Sequence, residues 1–320
     1  NALTSNTTGA DQVAVGRKAL QDNTGGQANT AIGVNALQNC TTGGSNTAVG
    51  NSSMDALTTG STNVSLGMNT LAAITTVSNC TAIGYNALNA NTSGRENTAV
   101  GSNAMDSNTD GEFNDAFGRD ALGNGSGFDK CCAFGNSALK SNTADKNSAF
   151  GFGALGSCTT GGYNNAFGAD SLDGAVTGSY NNAFGQNCMG ANTSGNRNTA
   201  MGQDALANNT TGSKNTAIGN SALVNNNASY CSAVGNDALA NNTTGTYNTA
   251  VGHQTMDANT TGSYNTALGI SAMGSNTTGG NNVAVGSYVM DIGSGFNYNV
   301  AIGHDTARQI TTGSNNVCLG

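Results

Sequence analysis

Proline and tryptophan are absent from this 320-residue chain, and charge is scarce: 9% of its residues are Asp, Glu, Lys or Arg. With 47 Gly but no Pro the chain is not collagen-like, because a collagen needs both. Two His residues and a hydrophobic share in which Ala is the commonest residue leave little from which to build an enzyme's core and catalytic centre. No apolar run approaches the ~20 residues of a membrane-spanning helix, so membrane insertion is not expected. Ten Lys and Arg are scattered among eighteen Asp and Glu, a formal net charge of −8, whereas nucleic-acid binding needs clustered cations. Disorder is not expected either, since Val, Ile and Leu recur regularly. The eight Cys form no CxxC pair and no Cys/His zinc spacing, which leaves the redox compartment open. The opening NALTSNTTGA has neither the basic start nor the apolar stretch of a secretory signal, and no initiator Met. It fits either a processed start or a segment of a longer chain.

What the chain has instead is a period. The motifs NTAIG (Asn29 to Gly33) and NTAVG (Asn46 to Gly50, Asn97 to Gly101) close on a glycine that returns nineteen times, from Gly16 to Gly320. Sixteen of the eighteen spacings are 17 residues; Gly135 to Gly151 and Gly219 to Gly235 are 16. Residues 1–320 therefore read as a single repeat array with no linker and no second domain. With the closing Gly as position 17, a representative copy is QDALANNTTGSKNTAIG, Gln203 to Gly219. Position 4 is Leu or Met in nearly every copy, position 15 is Ala except at Ser65 and Cys318, and position 16 is apolar throughout.

Seventeen residues are too few for a helical-hairpin repeat of ~33 or more, but suit one turn, or rung, of an all-β parallel β-solenoid (a β-roll or β-helix). Two short strands are expected, near positions 13–16 and 2–5, joined at the closing Gly and at the TTG segment. Gly permits the positive φ of a tight corner, and the missing Pro leaves every amide free for the ladder. Nineteen rungs at ~4.8 Å would make a rod of roughly 90 Å.

Like residues then stack on like. Position 13 becomes a structural Asn ladder of Asn29, Asn46, Asn63, Asn97, Asn114, Asn147, Asn164, Asn181, Asn198, Asn215, Asn248, Asn265, Asn282, Asn299 and Asn316. Phe117 to Phe184 become a five-rung aromatic stack. Positions 15 and 16 are both apolar, as are 3 and 4, although side chains alternate along a strand. Both faces of each strand are thus expected to be buried, one inside the roll and one against a partner chain. This predicts a parallel homo-oligomer.

The motifs NTAIGxNAL and NTAVGxxAL resemble the head repeats of YadA-like trimeric autotransporter adhesins, and repeats of phage tail fibres. The resemblance covers all nineteen copies, although those heads use about 14 residues per coil and this chain uses 17. It implies a left-handed roll, three chains side by side, and a rigid extracellular, cell-surface or virion-surface fibre with an adhesive role.

Other features read as structural. GFGALG (Gly151 to Gly156) matches a dinucleotide fingerprint, but its first Gly is the repeat corner and no helix pattern follows. His253 and His304 share position 1 three rungs apart, ~14 Å, too far to share a metal. Asp does not recur at the fixed phase that calcium-binding β-rolls need. No cofactor is expected. Cys80, Cys131 and Cys231 fall at or beside position 13 and read as small buried replacements for Asn, with inter-rung or inter-chain disulfides as the alternative. Asn6, Asn91, Asn192, Asn209, Asn242, Asn259 and Asn276 open N-x-S/T sequons at position 7. They are glycosylation candidates in a secreted eukaryotic protein, and otherwise turn formers. Tyr163, Tyr180, Tyr247, Tyr264 and Tyr298 share position 12, a surface row able to meet sugars or to shield an edge.

The expectation is a non-enzymatic structural fibre whose partners are copies of itself, side by side as a trimer or end to end as a filament, with surface glycans as a further partner. End-to-end growth is suggested by repeats that reach both termini without a capping sequence. The alternative is an ice-binding or glycan-binding solenoid, because NTAVG resembles the NxVxG repeats of plant ice-binding rolls and Thr recurs at positions 8, 9 and 14.

Overall fold

The computed structural model describes residues 1–174 and 176–320. The chain forms two compact units, Asn1–Thr160 and Gly161–Gly320. Among the described residues the first holds nine strands, from β1 (Val13–Val15) to β9 (Ser148–Phe150). The second holds ten, from β10 (Asn165–Phe167) to β19 (Val317–Leu319). Each strand occupies positions 14 to 16 of one repeat. Within each unit every strand pairs in parallel with that of the next repeat, and without a shift: Val13 lies against Thr30 in the first, Thr199 against Thr216 in the second. Both units are parallel β-solenoids with one 17-residue repeat per rung.

The second strand expected at positions 2–5 does not form. Positions 2, 4 and 12 adopt the left-handed conformation along the chain; in the Gln203 to Gly219 rung these are Asp204 (φ 56°), Leu206 (φ 53°) and Lys214 (φ 60°). This side of the rung is a succession of turns. Its backbone is still paired between rungs, since the Leu206 N–H donates to the Ala222 carbonyl (3.0 Å) and the Asn208 N–H to the Val224 carbonyl (2.9 Å). Loss of strand geometry has a packing consequence. Consecutive residues Ala205 and Leu206 are both fully buried in the same chain. The apolar pair at positions 3 and 4 therefore does not report a covered outer face, and that half of the two-sided burial argument falls. A left-handed Leu costs about 1–2 kcal/mol, but burying its side chain contributes about 1.5–3 kcal/mol. Burial wins, which is why the position carries Leu or Met rather than Gly or Asn.

The interior is thin and lined by small side chains. Ala at position 15 is fully buried, as at Ala99 and Ala217, while its neighbours at 14 and 16 point outward. The corner needs Gly twice over. At Gly101 φ is 141°, and an added Cβ would lie 2.3 Å from the Gly118 carbonyl oxygen of the next rung. Where position 10 is Gly the constraint is space alone, because a Cβ on Gly94 would lie 2.3 Å from the Gly111 oxygen and 2.7 Å from Asn91 Oδ1; Val77, Ala144 and Ala228 hold this position in other rungs. Phe128 and Phe296 occupy position 10 in the two GSGF segments and are fully buried. In both, position 7 has lost its side chain to Gly125 or Gly293. A Cβ on Gly125 would lie 3.2 Å from Phe128 Cε1, so the ring takes the room that an Asn holds elsewhere.

Positions 3 and 15 pack against each other, which explains the one serine among the buried alanines of the strands. Ser65 at position 15 is accompanied by Ser53 and Thr70 at position 3, and all three are buried. Ser53 Oγ donates to Ser65 Oγ (2.7 Å), Ser65 Oγ also meets Thr70 Oγ1, and Thr70 Oγ1 reaches the Gly67 carbonyl (3.0 Å). Replacing Ser65 alone by Ala should cost about 1 kcal/mol in chemical denaturation, because hydroxyls at 53 and 70 lose a buried partner. The triple change to Ala at 53, 65 and 70 restores the composition of other rungs and should recover most of that loss.

Candidate functional site

The most ordered chemistry lies inside each unit. Position 13 Asn side chains point inward and bond along the stack. In the first unit the Asn46 N–H donates to Asn29 Oδ1 (2.9 Å), and Asn46 Nδ2 donates to the Gly60 carbonyl at position 10 of the next rung (2.9 Å). Asn63 and Asn114 repeat this on Asn46 and Asn97. Asn97 Nδ2 reaches the Gly111 carbonyl, and Asn147 Nδ2 reaches Asn142 Oδ1. In the second unit Asn181, Asn198 and Asn215 each donate a backbone N–H to the Asn Oδ1 of the rung before, starting at Asn164. Asn265, Asn282, Asn299 and Asn316 do the same from Asn248 onward.

Cys80, Cys131 and Cys231 stand in this ladder. Each still donates its N–H to the Asn below, and its thiol meets the carbonyl that Asn Nδ2 otherwise bonds, at 3.5, 3.3 and 3.2 Å. A thiol has no carbonyl oxygen, so the ladder's side-chain acceptor is lost there. Cys40, Cys80, Cys131, Cys132, Cys188, Cys231 and Cys318 are free thiols. Burial pushes Cys131 and Cys188 up to about 12 and Cys40 to about 11, and raises Cys80 and Cys231 as well.

The sequons at position 7 turn out to face inward. Asn91, Asn192, Asn209, Asn242, Asn259 and Asn276 are fully buried, and Asn6 is half-buried. Each Nδ2 donates to the carbonyl of the Gly three residues on, as in Asn91 to Gly94 (2.7 Å) and Asn242 to Gly245 (2.8 Å). Asn259 Nδ2 also reaches Asn242 Oδ1 (2.8 Å), which makes a second amide ladder. A glycan on any of the six buried nitrogens would have to occupy the solenoid interior, and of the two readings the burial favours the turn formers. The pairing of Asn at position 7 with Gly at position 10 was the sequence signal for this ladder.

The outside carries three rows. At position 16 the apolar side chains are half-exposed: Met201 48%, Ile218 38%, Phe134 37%. Phe117, Phe134 and Phe150 stack in the first unit at 4.6 and 4.9 Å, and Phe167 and Phe184 in the second at 4.9 Å. At position 8 the Thr hydroxyls donate to carbonyls of the next rung, as in Thr58 to Thr75 (2.9 Å) and Thr243 to Thr260 (2.9 Å). At position 12, Tyr163 and Tyr180 stack at 4.9 Å, and Tyr230, Tyr247 and Tyr264 at 4.8 and 4.9 Å. Tyr230 joins this row because the missing residue of its 16-residue repeat lies before it. Stacking spends the ring faces on one another, so a ligand alongside meets edges and hydroxyls. His253 and His304 are exposed, and His304 Nδ1 sits 3.2 Å from Asp305 Oδ2. GFGALG spans a corner and the following turn, with Gly151 at φ 141° and Gly153 at φ 65°.

Two measurements check the interior. Asn198→Ala removes the partner of the Asn215 N–H and one of the two amide donors to the Gly212 carbonyl, the other being Asn209, and should cost about 1–3 kcal/mol. Asn198→Cys keeps a donor toward Gly212 and should cost clearly less. Native protein at neutral pH should give a thiol reagent only the half-buried Cys132 and Cys318, and all eight thiols after unfolding.

No protein-family model matches this chain, and no curated protein does.

Proposed function

We propose that this chain is a non-enzymatic structural protein that builds a rigid fibre or filament outside the cell, on a cell surface or on a virion. Its partners in this reading are further copies of the chain, three side by side as the NTA[VI]G resemblance to YadA-like heads and tail fibres implies. The supporting observation is the position 16 row. Val, Ile, Leu, Met and Phe recur there on consecutive rungs, half-exposed, on the outward face of a sheet whose inward face is already filled by Ala. A recurring apolar stripe of this kind marks an interaction surface, and a second copy offers the same period to match it. Dense pairing between rungs, through backbone and side-chain amides together, supports the stiffness a fibre needs.

An ice-binding face has less support. The position 8 hydroxyl protons are given to carbonyls, and position 14 changes from Thr to Val, Asn, Ser, Asp or Cys between rungs.

Light scattering on the purified chain tests the reading. A mass of three chains is expected, and Met201→Glu with Ile218→Glu should lower it toward one chain while far-UV circular dichroism stays unchanged, since both side chains are half-exposed. A wild-type mass of one chain would overturn the side-by-side assembly.

A further inference from the structure

The tyrosine row of the second unit is interrupted once by two cations. Between Tyr180 and Tyr230, position 12 is held by Arg197 and then Lys214, on consecutive rungs. Both are exposed, and both lie in the left-handed conformation of that position. Arg197 Cζ lies 6.0 Å from the Tyr180 ring centre, the outer limit of a cation–π contact. Lys214 Nζ lies 4.7 Å from the Tyr230 ring centre and 2.9 Å from its hydroxyl. Because the side chains do not fill the gap as a tyrosine pair would, a notch of about 320 Å³ opens there, lined by Tyr180, Asn196, Arg197, Ser213 and Lys214.

The charge at this notch is uncompensated. Among the described residues, neither Arg197 nor Lys214 has a carboxylate within ion-pair distance, whereas Arg95, Arg119 and Arg308 each do. Position 12 of the first unit carries one such consecutive pair of cations, Lys130 and Lys146, and there position 11 supplies Asp129 and Asp145. At the notch position 11 supplies neutral Asn196 and Ser213 instead. Two like charges stacked without an acid, on a chain of net charge −8, leave a local demand for an anion. Asn196 Oδ1 is occupied by the Ser179 N–H and one Nδ2 proton by the Ser194 carbonyl, so one amide proton remains to donate. The unstacked face of Tyr180 lies under Arg197 and that of Tyr230 under Lys214, so both rings present edges and hydroxyls to the gap.

We propose that this notch binds an acidic sugar residue, with Arg197 and Lys214 holding its carboxylate or sulfate, Asn196 a hydroxyl, and the edge of the Tyr180 ring its C–H surface. The volume is near the lower end of small-ligand sites, about 300–1,000 Å³, and admits one sugar ring. Two cations are too few for a nucleic-acid groove, which tracks many phosphates. This inference does not depend on the fibre reading, since every residue of the notch belongs to one unit of one chain.

Calorimetric titration of the intact chain with glucuronate, glucose 6-sulfate, glucose and inorganic sulfate tests it. Both acidic sugars should bind, and should weaken several-fold between about 0.05 and 0.3 M salt. Glucose and inorganic sulfate should each bind about ten-fold more weakly, since each lacks half of the contacts. Arg197→Gln and Lys214→Gln should each weaken the acidic sugars by about ten-fold, and Lys130→Gln should leave them unchanged. These side chains are exposed, and circular dichroism confirms that the variants fold. Glucose binding as tightly as glucuronate, sulfate as tightly as glucose 6-sulfate, insensitivity to both substitutions, or no heat with either acidic sugar at ten-millimolar concentration would overturn the proposal. Failure here with a three-chain mass would leave the fibre reading standing.

Discussion

The side-chain amide at position 13 is the interaction on which most rungs depend. Where the chain re-enters the strand, the position 13 N–H and the position 10 carbonyl of one rung both face a dry interior and are met by the Asn of the rung before, and an unpaired buried polar group costs about 1–3 kcal/mol. One Asn serves both: Asn198 Oδ1 accepts from the Asn215 N–H while its Nδ2 donates to the Gly212 carbonyl. Every other feature of the interior accommodates that side chain. Gly at position 10 leaves room for it, Ala at positions 3 and 15 keeps the walls close, and the amide at position 7 bonds the same position 10 carbonyl from the other side, as Asn209 does at Gly212.

Such an interior reverses the usual balance of a protein core. Most buried side chains are small or polar, and the largest recurrent one, Leu or Met at position 4, sits in a backbone conformation that its Cβ disfavours. The fold tolerates this because the apolar area gained outweighs the strain, and because neighbouring rungs hold the backbone on both sides. Two of the exceptions come in compensating sets. Phe128 arrives with Gly125, and Ser65 with Ser53 and Thr70, so volume or hydrogen bonding is conserved within a rung pair.

The outer surface follows the same stacking rule with a different result. Identical residues on successive rungs make continuous rows, and a row amplifies what one side chain does weakly. Position 16 becomes an apolar stripe suited to another copy, while position 12 becomes stacked tyrosines whose faces are spent on each other. Specificity can enter only where a row is broken. Arg197 and Lys214 are such a break, and the local chemistry changes there from aromatic to cationic.

The 17-residue period by itself determined the parallel stack, the corner glycines and the in-register strands at positions 14–16, because any residue that recurs at fixed phase must lie above its copies. It also put Arg197 and Lys214 on adjacent rungs, although that juxtaposition is visible only once the copies are aligned. What the period could not decide was direction. Neighbours such as Ala205 and Leu206 read as two faces of a strand, and the left-handed turns that send both inward are set by competition between backbone strain and burial. Asn91 and its equivalents read either as sequons or as turn formers, and only the folded rung shows their amides turned into the core. A sequence records which residues repeat; which side of the wall each occupies depends on the path of the backbone between them, and that path is fixed by how tightly neighbouring rungs can pack.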